Sequence, residues 1–332
     1  MWHTNWHENC FLIEVKINDK GGNFMLDKEQ VNMLQSFAKQ IRIKTIYQMK
    51  VRGFGHIGGA MSIVDVLSVL YGKQLKYDPK NPAMEDRDWI VCSKGHAGPA
   101  IYAALALKGF FPMEWLDTLN QPGTNLPSHC DRKKTPGIDV TTGSLGQGLS
   151  VACGIALGKK QNQEENTIYC FMGDGESQEG QNWEAIMFAA QQKLDNLILF
   201  LDDNKMQLDD MTAAIENMES FSEKFKSFHW DVQEIDGHDY EAIDAAIDKA
   251  KSEKGKPSVI VLHTIKGKGC KFAEEMWNHH VSVSEEQANE AIAILEKERG
   301  QSNDSGNGQI RRRKRDHGSG VCGENGSDDG KK

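Results

Sequence analysis

Cys170-Phe171-Met172-Gly173-Asp174-Gly175-Glu176, followed by the run Asn196-Leu197-Ile198-Leu199-Phe200-Leu201-Asp202-Asp203-Asn204, is the stretch on which the fold of this chain turns. Thr167 to Met172 is short, apolar and partly β-branched, with a charged loop before it and Gly-Asp-Gly after it, the pattern of a strand buried on both faces of a parallel sheet. Between the two runs, Gln181 to about Lys193 places Trp183, Ile186, Met187 and Ala190 on one helical face. Strand, helix and strand make one βαβ crossover, and the predicted class is α/β, a mostly parallel sheet with helices on both faces. Ligands of open parallel sheets bind outside the carboxyl ends of the strands, where the loops diverge. Asp174 and Asn204 both stand at such ends.

A carboxylate and a side-chain amide form an oxygen set suited to Mg²⁺, which completes its octahedron with ligand phosphate and water. Glycines on both sides of Asp174 let the backbone approach a phosphate. Gly-Asp-Gly by itself is equally the turn after a strand. Its spacing to an Asn at the next strand end, however, resembles the fingerprint of thiamine-diphosphate enzymes. The surrounding Gly173-Asp-Gly-Glu-Ser-Gln-Glu-Gly-Gln-Asn-Trp-Glu-Ala185 resembles the transketolase version of it.

Bulk composition agrees with a catalytic domain and excludes several other classes. The 332 residues are 39% hydrophobic, enough for one large core. A net charge of −9 argues against a nucleic-acid footprint. Seven cysteines form no CxxC pair and several lie in apolar segments, which suits reduced core residues. No run has membrane-spanning length and no basic-then-apolar start marks a secretory signal, so the expected location is the cytoplasm.

Residues 1–24 carry two Trp-His pairs and no sustained period; His3, His7 and Cys10 match no zinc spacing, and the stretch reads as a disordered extension or one preceding a true start at Met25. From Leu26 to about Met49 the pattern is helical, with Val31, Leu34, Phe37, Ala38, Ile41, Ile46 and Met49 near one face. Arg52-Gly-Phe-Gly-His-Ile-Gly-Gly-Ala-Met61 leads into a helix expected over Ser62 to Tyr71 with Ser62 as N-cap. Trp89 to Ser93 reads as a strand, and Pro99 to Lys108 as a helix with Pro in its first turn. Phe228 to Ile235 and Ser258 to Thr264 read as further strands, Tyr240 to Lys251 and Glu285 to Glu298 as helices. The folded domain is expected over 25–299. Residues 300–332 form a low-complexity tail whose Arg311-Arg-Arg-Lys-Arg315 reads as a solvated run.

Four further segments extend the resemblance to the transketolase family over about residues 27–285. Gly55-His56-Ile-Gly-Gly59 is similar to its first substrate-facing loop, and Ser93-Lys-Gly-His96-Ala to its segment contacting diphosphate and substrate. Thr141-Thr-Gly143-Ser144-Leu145-Gly-Gln-Gly148 is close to Thr-Thr-Gly-Pro-Leu-Gly-Gln-Gly, and Thr264-Ile-Lys-Gly-Lys-Gly269 to Thr-x-Lys-Gly-x-Gly. Trp277-Asn-His279-His280 stands where Trp-His-Gly is common, leaving open which histidine takes that role.

The resemblance implies thiamine diphosphate held through Mg²⁺, or another divalent cation such as Ca²⁺ or Mn²⁺. The metal ligands would be Asp174, Asn204 and the Met206 carbonyl; Gly143, Ser144, Leu145, Gly175 and His96 would hold the cofactor, with Glu179 at a subunit interface near it. His56, His96, His129 and His279 or His280 would surround a sugar-phosphate substrate. The span is that of a diphosphate-binding domain alone. The glutamate that activates the cofactor belongs in the family to a pyrimidine-binding domain. A split transketolase is therefore implied, in which a separate partner supplies that domain, the active sites form at the interface, and the assembly is a heterotetramer. Half of a deoxyxylulose-phosphate synthase, the α-chain of a 2-oxo-acid dehydrogenase and a non-catalytic assembly protein are the alternatives; the several histidines and Thr-Thr-Gly-Ser-Leu-Gly-Gln-Gly argue against the second.

Overall fold

The computed structural model describes residues 26–208, 210–274 and 279–297. The expected extension over 1–24, the tail over 300–332 and Trp277 lie outside them. In chain order the elements are α1 (Lys28–Arg52), β1 (Phe54–Gly55), α2 (Ile57–Met61), α3 (Val64–Val69), β2 (Trp89–Cys92), α4 (Gly98–Leu107), α5 (Gln147–Gln161), β3 (Ile168–Gly173), α6 (Gly180–Gln191) and β4 (Leu197–Asp203). There follow α7 (Thr212–Ile215), α8 (Phe221–Ser227), β5 (Asp231–Asp236), α9 (Tyr240–Ser252), β6 (Ser258–His263), α10 (Lys271–Glu274), β7 (Val281–Ser282) and α11 (Glu285–Lys297).

Five strands pair in the order β2-β3-β4-β6-β5, every pair parallel. β3, α6 and β4 form the expected crossover, with Phe171 opposite Phe200 and Gly173 opposite Asp202. Strand side chains alternate between two cores. Tyr169, Phe171, Ile198, Phe200, Ile260 and Leu262 join one with α1, α3, α4 and α9. Cys170, Met172, Leu199, Leu201, Val259 and Val261 join the other with α5, α6 and α8. Helices on both faces explain why β3 and β4 are apolar at consecutive positions. Cys92, Cys130, Cys153, Cys170 and Cys270 are free and buried.

Three local expectations are corrected. Ser62 does not cap a helix: α2 ends there, and its hydroxyl donates to Asp202 Oδ2 at 2.8 Å, so a buried carboxylate has claimed it. Met187 is 50% exposed, because α6 turns Asn182, Ala185, Ile186 and Ala189 inward. Strand β5 begins at Asp231, not Phe228. Phe228 caps α8, His229 takes φ 64°, and the Trp230 indole N–H donates to the Ile186 carbonyl at 3.0 Å, locking that turn.

Candidate active site

Carboxyl ends of β2, β3, β4 and β6 deliver Ser93-Lys94-Gly95-His96, Asp174-Gly175-Glu176, Asn204 and Thr264-Ile265-Lys266 to one edge of the sheet. At its centre Asp202, fully buried, accepts from Lys94 Nζ at 2.6 Å, Ser62 Oγ and Asn204 Nδ2 at 2.8 Å, and Thr264 Oγ1 at 2.5 Å. Burial alone would raise this carboxyl, but Lys94 and these donors hold it below its ordinary range. Asn204 is thereby oriented: its amide N–H serves Asp202, and its Oδ1 accepts from the Met206 N–H at 3.1 Å.

Asp174 is 2% exposed and enters none of the ion pairs among the described residues. Its Oδ1 accepts from the Gly175 N–H at 2.8 Å and Oδ2 from the Thr212 hydroxyl at 2.9 Å. Burial, and then the charge of Asp202, pushes its pKa up to about 7. A buried carboxylate so placed is short of positive charge, which is the condition a divalent cation relieves. Lys266, also buried, donates to the carbonyls of Met206 and Gln207 at 3.3 Å. Burial lowers its ammonium to about 8, partly offset by Asp174.

The glycine-rich turn before α5 closes over this edge. Gly143 has φ 145°, and a Cβ there would lie 3.1 Å from His129 Cδ2; a Cβ on Gly95 would lie 2.8 Å from the Gly143 nitrogen. Two backbones therefore meet where only glycine fits. Glu176, 4% exposed, ties the turn to β3: its carboxylate accepts from the Gly146 N–H at 2.9 Å, the Gly173 N–H at 3.1 Å and the Ser93 hydroxyl. Burial raises its pKa against those donors. Glu179 is the exposed N-cap residue of α6, and Ser144 is exposed on the same turn.

Five histidines converge beside it. The His56 ring centroid lies 5.4 Å from His96, 5.4 Å from His129, 5.3 Å from His279 and 4.7 Å from His280; His96 and His279 are 4.9 Å apart. Both members of the His279-His280 pair thus reach the cluster. Burial first, then neighbouring rings, brings His56 down to about 3 and lowers His96 and His129. These imidazoles are neutral, able to donate from one nitrogen and accept at the other. Among the described residues no group of three or more His, Cys, Asp or Glu side chains has the arrangement of a metal centre, so the cluster reads as a substrate wall.

Residues 33–303 match the family model described as "Transketolase, thiamine diphosphate binding domain". The chain belongs to the transketolase family. A relative from Clostridium sp. strain MSTE9, "6-deoxy-6-sulfo-D-fructose transketolase subunit SqwG", is 52% identical over 82% of this chain and 99% of its own length. One of the two subunits named for an apulose-4-phosphate transketolase in Actinobacillus succinogenes is 38% identical over 76% of this chain and 92% of its own. The solved transketolase of Campylobacter jejuni superposes with a TM-score of 0.75 at 32% identity, over 80% of this chain and 43% of that one. The chain thus spans less than half the length of that solved transketolase.

Within this transketolase domain, three buried groups were not legible from the sequence as site residues. Lys94 and Lys266 stand inside recognisable motifs, but a lysine in a turn carries no sign that it will be buried. Glu176, next to the metal loop, has its signal in the Gly173-to-Gly175 turn: a carboxylate three residues after a strand's last N–H can fold back onto it, as it does here.

Proposed function

We propose that the protein is the diphosphate-binding subunit of a split, thiamine-diphosphate-dependent transketolase, moving a two-carbon ketol unit between sugars that carry a terminal anionic group. The observation that carries this reading is the convergence of His56, His96, His129, His279 and His280 on one side of the Asp174–Asn204 edge. A non-catalytic domain has no physical need for five imidazoles packed at mutual cost.

The residues fit the cofactor. Asp174, the Asn204 side-chain oxygen and the Met206 carbonyl would hold Mg²⁺ or a similar divalent cation; Gly143, Ser144, Leu145, Gly175, His96 and Lys266 would surround the diphosphate. When bound, the thiazolium supplies the electron sink for breaking a C–C bond next to a carbonyl. The chain's own work is to neutralise diphosphate charge, exclude water from the edge, and exchange protons with sugar hydroxyls through neutral imidazoles. The activating glutamate is assigned to a separate pyrimidine-domain partner, with Glu179 facing the shared interface of a cytoplasmic heterotetramer.

Isothermal titration of thiamine diphosphate with Mg²⁺ tests the site: Asp174→Ala is expected to abolish binding, and unchanged affinity would sink the metal assignment. Ketol transfer to ribose 5-phosphate is expected only when this chain is mixed with its partner. The donors to compare are xylulose 5-phosphate and 6-deoxy-6-sulfofructose, the sugar in the name of the 52% identical relative. Transfer by this chain alone would overturn the division of labour.

A further inference from the structure

A recess of about 240 Å³ opens next to the histidines, and its polar lining is Arg52, His56, Asn120 and Ser128. Met49, Phe54 and Leu119 supply its apolar wall, and no carboxylate lines it. Arg52 is the last residue of α1. Its guanidinium carbon lies 4.1 Å from the centroid of the Phe54 ring, which fixes the plane of the fork. The other side of Phe54 leads to the reaction wall: its centroid is 5.3 Å from that of His280, which is 4.7 Å from His56.

Arg52 Nε is buried without a hydrogen-bond partner among the described residues. Neither Arg52, Asn120 nor Ser128 makes a side-chain hydrogen bond or ion pair with any of them. Asn120 moreover holds φ 52°, a left-handed conformation that asparagine tolerates better than most residues. A folded chain rarely leaves a permanently charged fork and two amphoteric side chains unsatisfied around one recess unless something outside the chain completes them. The missing group must accept hydrogen bonds, carry negative charge and be small. A tetrahedral oxyanion meets all three demands, and a guanidinium fork binds it through two parallel bonds.

We propose that Arg52, with Asn120 and Ser128, forms the subsite for the terminal phosphate or sulfonate of the sugar, and that Arg52 sets the preference for anionic over neutral ketoses. The inference rests on the ketol-transfer reading. It places the reacting carbons beside His56 and the charged tail behind Phe54, away from the diphosphate site at Asp174.

The test uses the assembled complex with thiamine diphosphate and Mg²⁺. kcat/KM is measured for xylulose 5-phosphate, 6-deoxy-6-sulfofructose and neutral fructose, in the wild type, Arg52→Met and Arg52→Lys. Loss of one charge-assisted fork is expected to lower the anionic-to-neutral ratio roughly 10- to 100-fold in Arg52→Met, with part restored in Arg52→Lys. An unchanged ratio, or an equal fall with all three donors, would overturn the subsite. Modification of Arg52 by phenylglyoxal, followed by peptide mass spectrometry, gives a readout that needs no turnover. Protection by either anionic ketose and not by fructose supports the subsite; no protection, or equal protection by inorganic phosphate at the same concentration, overturns it. If the wild-type complex transfers from no donor, the ketol-transfer reading fails, and the protection pattern still decides whether Arg52 binds anionic sugars.

Discussion

At the scale of single residues, His56 illustrates how function is written as electrostatic cost. Burial and four neighbouring groups, His279, His280, His129 and Lys266, bring its pKa down to about 3. In the unfolded chain the same ring takes a proton near pH 6.5, so the folded state binds fewer protons in acid. Its contribution to stability is therefore present above pH 6.5 and lost as pH falls towards 3; His96 and His129 shift in the same direction. His56→Asn should flatten the fall of Tm between pH 6.5 and 4, each kcal/mol reading as about 2–4 °C in a thermal scan. A Tm profile parallel to that of the wild type would contradict the neutral cluster. The same substitution should lower kcat of the reconstituted enzyme by roughly 10²- to 10⁴-fold, the usual worth of a proton-transferring side chain.

Between residues and the whole molecule stand the loops, and two buried carboxylates hold them. Glu176 joins the glycine-rich turn to the end of β3 through the Gly146 and Gly173 N–H groups. Asp65 on α3 takes both arms of Arg42, at 3.0 and 2.6 Å, while the Arg42 Nε donates to the Lys268 carbonyl at 3.0 Å. His238 Nδ1 lies 2.8 Å from Asp65 Oδ2, and its Nε2 accepts from the Ile265 N–H at 2.9 Å. The proton is thus on Nδ1, and one imidazole clips the Lys266 loop to the helical layer. Burial would raise the Asp65 carboxyl, but Arg42 and its other donors hold it well below the ordinary range. Asp65→Ala leaves a buried guanidinium uncompensated and is expected to cost about 3–5 kcal/mol in urea unfolding. Glu176→Gln, which presents an N–H₂ to a donor, should cost about 1–3 kcal/mol and weaken thiamine diphosphate binding in calorimetry. A wild-type urea midpoint in either variant would refute its role. These ties were illegible in the sequence because they join residues far apart in the chain. Asp65 and Arg42 read there only as polar positions on helices, and Ser62 as a cap. What was legible was local and periodic: the strands at Trp89, Thr167 and Asn196, the glycine-rich turns, and a histidine at each loop.

For the whole molecule the decisive fact is incompleteness: the chain spans 43% of the Campylobacter jejuni transketolase, and the remainder of an active site has to come from another chain. The surface carries a matching feature. Met187 is 50% and Phe188 40% exposed on α6, the helix capped by Glu179, and Val151 is 42% exposed on α5, where Gly154 has open space around it. The periodicity of α6 predicts Met187 inside; the sheet instead takes Ile186 and Ala189, and the leftover apolar side chains face outward beside the catalytic edge. Exposing them to water in the isolated chain gains nothing, and covering them in an assembly removes apolar area at about 25 cal/mol per Å². The double substitution Met187→Glu with Phe188→Glu is therefore expected to lower the sedimentation coefficient of the reconstituted complex and its ketol transfer together. Circular dichroism and the Tm of the isolated chain should stay near wild type, because neither side chain belongs to a core. A complex of unchanged mass would show that this face is free in the assembly and that the partner approaches the sheet edge from another side.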